Sequence, residues 1–164
     1  MKLINNEKMY NNTFKSHIIN GDKMKEKEVI LKLYHNVLMG VIGIETIENK
    51  IENRSLRKTI LNQKKEYEAM EKEMFNLCVS YNITNKEISP MAKISSEVMG
   101  KMKIMMDNTD HNIAKMMMDG TNKGLIELET LQNNYNGTDE DIKKMITKII
   151  EIEQQNNEDL KIYL

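Results

Sequence analysis

The chain has one cysteine, one proline, no tryptophan and only two phenylalanines in 164 residues. A single cysteine, Cys78, excludes an intramolecular disulfide framework and a cysteine-rich zinc module. With one proline and seven glycines, the turn signals that separate many short strands are missing, which argues against a multi-stranded β-fold. Twenty-four basic side chains against twenty-five acidic ones leave a net charge of −1, so no field favours a nucleic-acid partner. No apolar run nears the ~20 residues of a membrane span. The longest, Val37 to Ile44, contains Gly40 and Gly43 and stops at Glu45. Met1-Lys2-Leu3-Ile4 passes straight into Asn5-Asn6, too short for a secretory signal. A cytoplasmic protein without a membrane or nucleic-acid partner is the expectation.

What the chain does have is helical periodicity. Residues 1–22 show no sustained period and close on Asn20-Gly21-Asp22, a turn signal. They read as a polar N-terminal arm ahead of one domain, residues 23–164. From Met24 onward Ile30, Tyr34, Val37, Val41, Ile44 and Ile51 form a heptad seam interrupted only by Glu48. Leu56, Ile60, Gln63, Tyr67, Met70, Met74, Leu77 and Tyr81 give a second seam. The stretch from Asn82 to Pro90 breaks it, because proline lacks a helix donor and biases its predecessor toward extended backbone. Met91 to Met106 reads as a shorter helical piece, and Thr109 as a new N-cap. Ile113, Met117, Gly120, Gly124, Leu128, Leu131 and Tyr135 mark a third long helix. Thr138 with Asp141 resembles a capping box that opens a fourth, with Ile142, Met145, Ile149, Ile152 and Asn156 along its seam.

Each long helix takes roughly 25 residues, hence about 40 Å at ~1.5 Å per residue. Rods of equal length pack along their flanks. Short links between the first and second, and between the third and fourth, force antiparallel hairpins. The link between the second and third is long enough to run back along the assembly. Two hairpins and one long, partly helical crossover predict an all-α, ferritin-like four-helix bundle. The competing arrangement is an up-down bundle with a helical insertion.

Pro90-Met91-Ala92-Lys93, Met99-Gly100-Lys101, Thr109-Asp110-His111-Asn112-Ile113-Ala114, Asp119-Gly120 and Gly124 resemble a group of uncharacterised bacterial ferritin-like four-helix-bundle proteins, small clostridial ones among them. The likeness covers about residues 28 to 163 and implies the bundle fold. Related proteins often carry an acidic residue after the equivalent of Gly120, where this chain has Thr121.

A di-iron centre of the ferritin-like kind needs a Glu from each of two helices and Glu-x-x-His from each of the other two. The only histidines are His17, His35 and His111, and no Glu-x-x-His occurs. No catalytic, cofactor-binding or metal-ligating residue is therefore expected, and no cofactor. Fifteen methionines could suit copper(I) through their soft thioethers. Methionine also fills irregular core gaps, and packing is the preferred reading. Cys78 follows the seam residue Leu77 and reads as a packed thiol.

The residues singled out are structural. Glu48, the one acid in an apolar seam, is set opposite Arg57 if the hairpin folds about residue 52, which predicts a salt bridge. Gly120 and Gly124 are four apart on one helix face, each costing about 1 kcal/mol against alanine, which suggests close backbone approach. Antiparallel first and third helices would bring Gly40 to Gly120 in a tight waist. The functional expectation is a non-enzymatic bundle acting by self-association or docking to a protein partner. The alternative is a ferritin-like metal-binding or oxidase protein with carboxylate-only ligands drawn from Glu45, Glu48, Glu127 and Glu151.

Overall fold

The computed structural model describes residues 25–89 and 109–164. The polar arm, the helical piece Met91–Met106 and the dense methionines Met99, Met102, Met105 and Met106 lie outside them. Among the described residues every regular element is helical: α1 Glu26–Ile47, α2 Arg54–Ser80, α3 Asp110–Asn134 and α4 Glu140–Leu160, with 3₁₀ turns at Glu48–Lys50 and Lys161–Tyr163. The expected all-α class holds.

Polar side chains set the starts of α2, α3 and α4, whereas Lys25 before α1 makes no side-chain cap. Asn53 accepts from the N–H groups of Ser55 and Leu56 at 2.8 and 3.1 Å, and Thr109 accepts from that of Asn112 at 3.3 Å. Both satisfy donors that a helix start leaves orphaned. At α4 the cap is Asp139, not Thr138. Its carboxylate takes the N–H groups of Asp141 and Ile142 at 2.9 and 3.1 Å, and the Tyr81 hydroxyl donates to it as well. That donation, with the two backbone N–H groups, holds the Asp139 carboxyl below its usual range.

The end of α2 is made by Asn82 rather than by Pro90. Asn82 takes φ 52°, its N–H reaches the carbonyl of Val79 at 3.0 Å, and that of Ile83 reaches Cys78 at 2.9 Å. This pair of bonds around a left-handed residue is a Schellman stop. Thr84 then starts the helical residues 85–89. Its N–H and hydroxyl both donate to Glu87, at 2.7 and 2.8 Å.

Cross-helix contacts fix the polarity. Lys27, opening α1, donates to the Asn82 carbonyl beyond α2 at 3.0 Å, while Glu48 after α1 meets Lys64 at 2.9 Å, so α1 and α2 are antiparallel. Asn157 donates to Asn122 at 2.7 Å and Gln132 to Thr147 at 3.4 Å, so α3 and α4 are antiparallel. Gln63 donates to the Asn156 carbonyl at 3.0 Å, and Glu73 pairs with Lys148 at 2.6 Å, which makes α2 and α4 antiparallel neighbours. Asn36 lies against Gly124 and Lys32 acts on Glu127, which does the same for α1 and α3. It follows that α2 and α3 are parallel, and that the link between them joins opposite ends of the assembly.

One apolar core runs between the four helices. The α1 seam is buried as expected, and so is the α2 seam from Leu56 to Met74, with Cys78 rather than Leu77 continuing it. The other two seams slip by one residue in places. On α3 Thr121 points inward and Gly120 outward; on α4 Ile146 and Glu153 are buried, while Met145 and Ile152 lie at the edge. The segment Glu26–Lys50 is long and apolar enough to cross a membrane by length and composition, but 56% of its most apolar window is buried in the fold. Burial against the other helices is the use the fold makes of that surface.

Candidate functional site

The apolar seams give way to a polar centre where all four helices converge. Asn36 from α1, Gln63 from α2, Thr121 from α3, and Glu153, Asn156 and Asn157 from α4 are all buried. Heptad position accounts for the burial of three of them. Glu153 and Asn156 take the seam positions after Ile142, Ile146 and Ile149, while Gln63 falls between Ile60 and Tyr67. Register-fixing amides are a known use of single polar seam positions.

Glu153 is the most consequential member. It is 2% exposed, and its Oε2 has no hydrogen-bond partner among the described residues. Burial, and secondarily the negative charge of Glu127, push its carboxyl up to about 8. At neutral pH it therefore holds its proton, since ionising it would bury an unpaired charge. The buried Tyr67 hydroxyl sits beside Asn156 and Thr121. Burial above all, and then Glu153, raise its pKa.

Glycine makes room for this cluster. A Cβ on Gly124 would stand 2.7 Å from Glu153 Oε2 and 2.8 Å from Asn36 Nδ2, and one on Gly40 would stand 2.4 Å from the Tyr67 ring. The expected waist of Gly40 against Gly120 is replaced by side chains packed over Gly40 and Gly124. Gly40 packs on Tyr67 of α2, and Gly124 accommodates polar groups from α1 and α4. A Cβ on Gly120 would meet nothing within 4 Å, so no close approach occurs there. The inward step from Met117 goes to Thr121, which turns Gly120 to the exposed side.

The expected Glu48–Arg57 pair is also replaced. Glu48 binds Lys64 at 2.9 Å, with Glu45 at 4.0 Å from the same ammonium, and Arg57 is exposed. Lys64 lies about two turns beyond Arg57, because the hairpin register is not symmetric about residue 52. The Glu48 contact raises the Lys64 pKa, partly opposed by desolvation.

The candidate carboxylate ligands do not converge. Glu45 and Glu48 sit with Lys64 at one end of α1, Glu127 faces the Glu153 region, and Glu151 is exposed. Among the described residues no group of three or more His, Cys, Asp or Glu side chains is placed to hold a metal ion. The Cys78 thiol is buried and pushed up to about 11 by desolvation, then by Glu87, which suits packing rather than nucleophilic attack. Met70, Met74 and Met117 are core residues. An open groove of about 410 Å³ lies elsewhere, between α2 and α4, with Leu77 and Met145 at its floor and Glu73, Lys148, Asp141 and Lys144 around them.

Sequence reasoning missed Glu153. Its signal was Leu160: the series 142, 146, 149, 153, 156, 160 ends on leucine, whereas the rival series through 145 and 152 runs on to Asp159.

Comparison of the chain with family models, with curated proteins and with solved structures finds no match.

Proposed function

We propose that the protein is a non-enzymatic, ferritin-like four-helix bundle of the cytoplasm that acts through packing, by association with further copies of itself. The observation that carries this reading is the donor set at the centre. Amides, hydroxyls and one protonated carboxyl occupy the place where a ferritin-like oxidase would need several carboxylates and imidazoles. The helix order supports the fold part of the reading. Two antiparallel hairpins, with α2 neighbouring α4 and α1 neighbouring α3, need a long crossover between parallel α2 and α3. The resemblance to bacterial ferritin-like proteins points the same way.

A surface feature supports association. Phe75 and Val79 are four apart on α2, hence on one face, and stand 47% and 58% exposed. Two neighbouring apolar side chains that open to solvent are material for a contact. Light scattering over a range of concentrations tests this. The wild type should exceed the 19.2 kDa of one chain, and a Phe75→Ser/Val79→Ser variant should shift toward it. A wild type that stays monomeric at every concentration contradicts self-association.

A further inference from the structure

We propose that Glu153 is a proton-operated latch: the polar centre of the four helices stays closed while this carboxyl keeps its proton and loosens when the proton leaves.

The geometry carries it. Glu153 is central on the inward face of α4 and 2% exposed. Its carboxyl lies against Gly124 of α3, and the Asn36 amide of α1 borders the same glycine, at a point where even one methyl group would be crowded. Oε2 lacks a partner among the described residues. Among the described residues, the groups that face it offer no positive charge. From α1 comes the Asn36 amide. From α2 comes the Tyr67 hydroxyl, which also feels Glu66. From α3 come Glu127 and the Gly124 backbone. The neighbours on α4 itself are Asn156 and Asn157. The nearby cation, Lys32, acts on Glu127, and among the described residues no salt bridge reaches Glu153. Among the described residues an anion made here finds no counter-charge, so it draws in water, and parting α1, α3 and α4 at this level admits it.

The direction follows from proton linkage. The closed form keeps the Glu153 proton up to about pH 8, against 4.5 for a free carboxyl. Between those values opening releases a proton, so the opening equilibrium rises about tenfold per pH unit and levels off above the upper value.

Hydrogen exchange on the full chain tests the latch, with rates corrected for the intrinsic pH dependence of exchange. In the wild type, protection across residues 121–127 and 153–157 should fall about tenfold per pH unit from pH 6 toward 8. Glu153→Gln keeps the shape without the charge and should flatten that fall. Glu127→Gln removes the neighbouring negative charge, so its profile should level off at a lower pH. Identical profiles for the wild type and Glu153→Gln overturn the proposal. Should Glu153→Gln not fold, carbon-13 NMR of glutamate carboxyls in the wild type decides. One carboxyl titrating near pH 8 supports the latch, and all of them titrating in the ordinary range overturns it.

Discussion

Tyr67→Ala should destabilise the protein by about 3–5 kcal/mol, the usual cost of removing a buried aromatic ring, read as a lower urea midpoint by circular dichroism. Tyr67 is 3% exposed, and its ring fills the space that Gly40 leaves open. The pairing makes a sharper expectation. Gly40→Ala alone forces a methyl group into that ring and should cost about 1–3 kcal/mol. In the Tyr67→Ala background the same change meets no ring, and the helix preference of alanine over glycine should make it stabilising by about 1 kcal/mol. The two substitutions are thus strongly non-additive, as residues in contact generally are. Gly120→Ala serves as the control. It sits in a helix with open space around it, so it should stabilise by about 1 kcal/mol. Additive effects of Gly40→Ala and Tyr67→Ala would show that α1 and α2 do not meet as described.

Ile146→Ala should cost about 2–5 kcal/mol, and Met145→Ala less than half as much. The difference lies in burial. Ile146 is 1% exposed within the core, so its removal leaves a cavity that its neighbours fill only in part. Met145 borders the open groove between α2 and α4, where water can replace the lost atoms. Thermal or urea unfolding of the two variants checks this directly. Equal losses, or a larger one for Met145, would return the α4 seam to the register that hydrophobicity alone suggests.

That register shows how far the sequence could be read. The helices of the core, the short loops between them and the buried stripes of α1 and α2 are all visible in apolar spacing. On α4 two heptad series run one residue apart, Met145/Ile152 and Ile146/Glu153, and apolar pattern favours the first because it avoids burying an acid. The fold takes the second. It keeps Ile146 and Leu160 inside and accepts Glu153 by leaving it protonated. On α3 the ambiguity comes from Gly120, which has no side chain to show which way it faces. Thr121 reads as a surface residue until its neighbours at the polar centre are known. The break of α2 falls where the stretch from Asn82 to Pro90 begins, but its cause is the left-handed backbone of Asn82 and not the proline. The polar centre was legible only in fragments, as Gln63 and Asn156. Its completion by Asn36, Thr121, Glu153 and Asn157 depends on the register between helices, which apolar spacing within one helix does not encode.

If the interior serves packing as proposed, its buried carboxyl Glu153 holds no metal. Elemental analysis of the full chain, purified without a histidine tag and after growth in iron- and manganese-supplemented medium, tests this most directly. The expected result is metal far below one equivalent per chain, unchanged in Glu153→Gln. Near-stoichiometric iron or manganese that Glu153→Gln abolishes would contradict it.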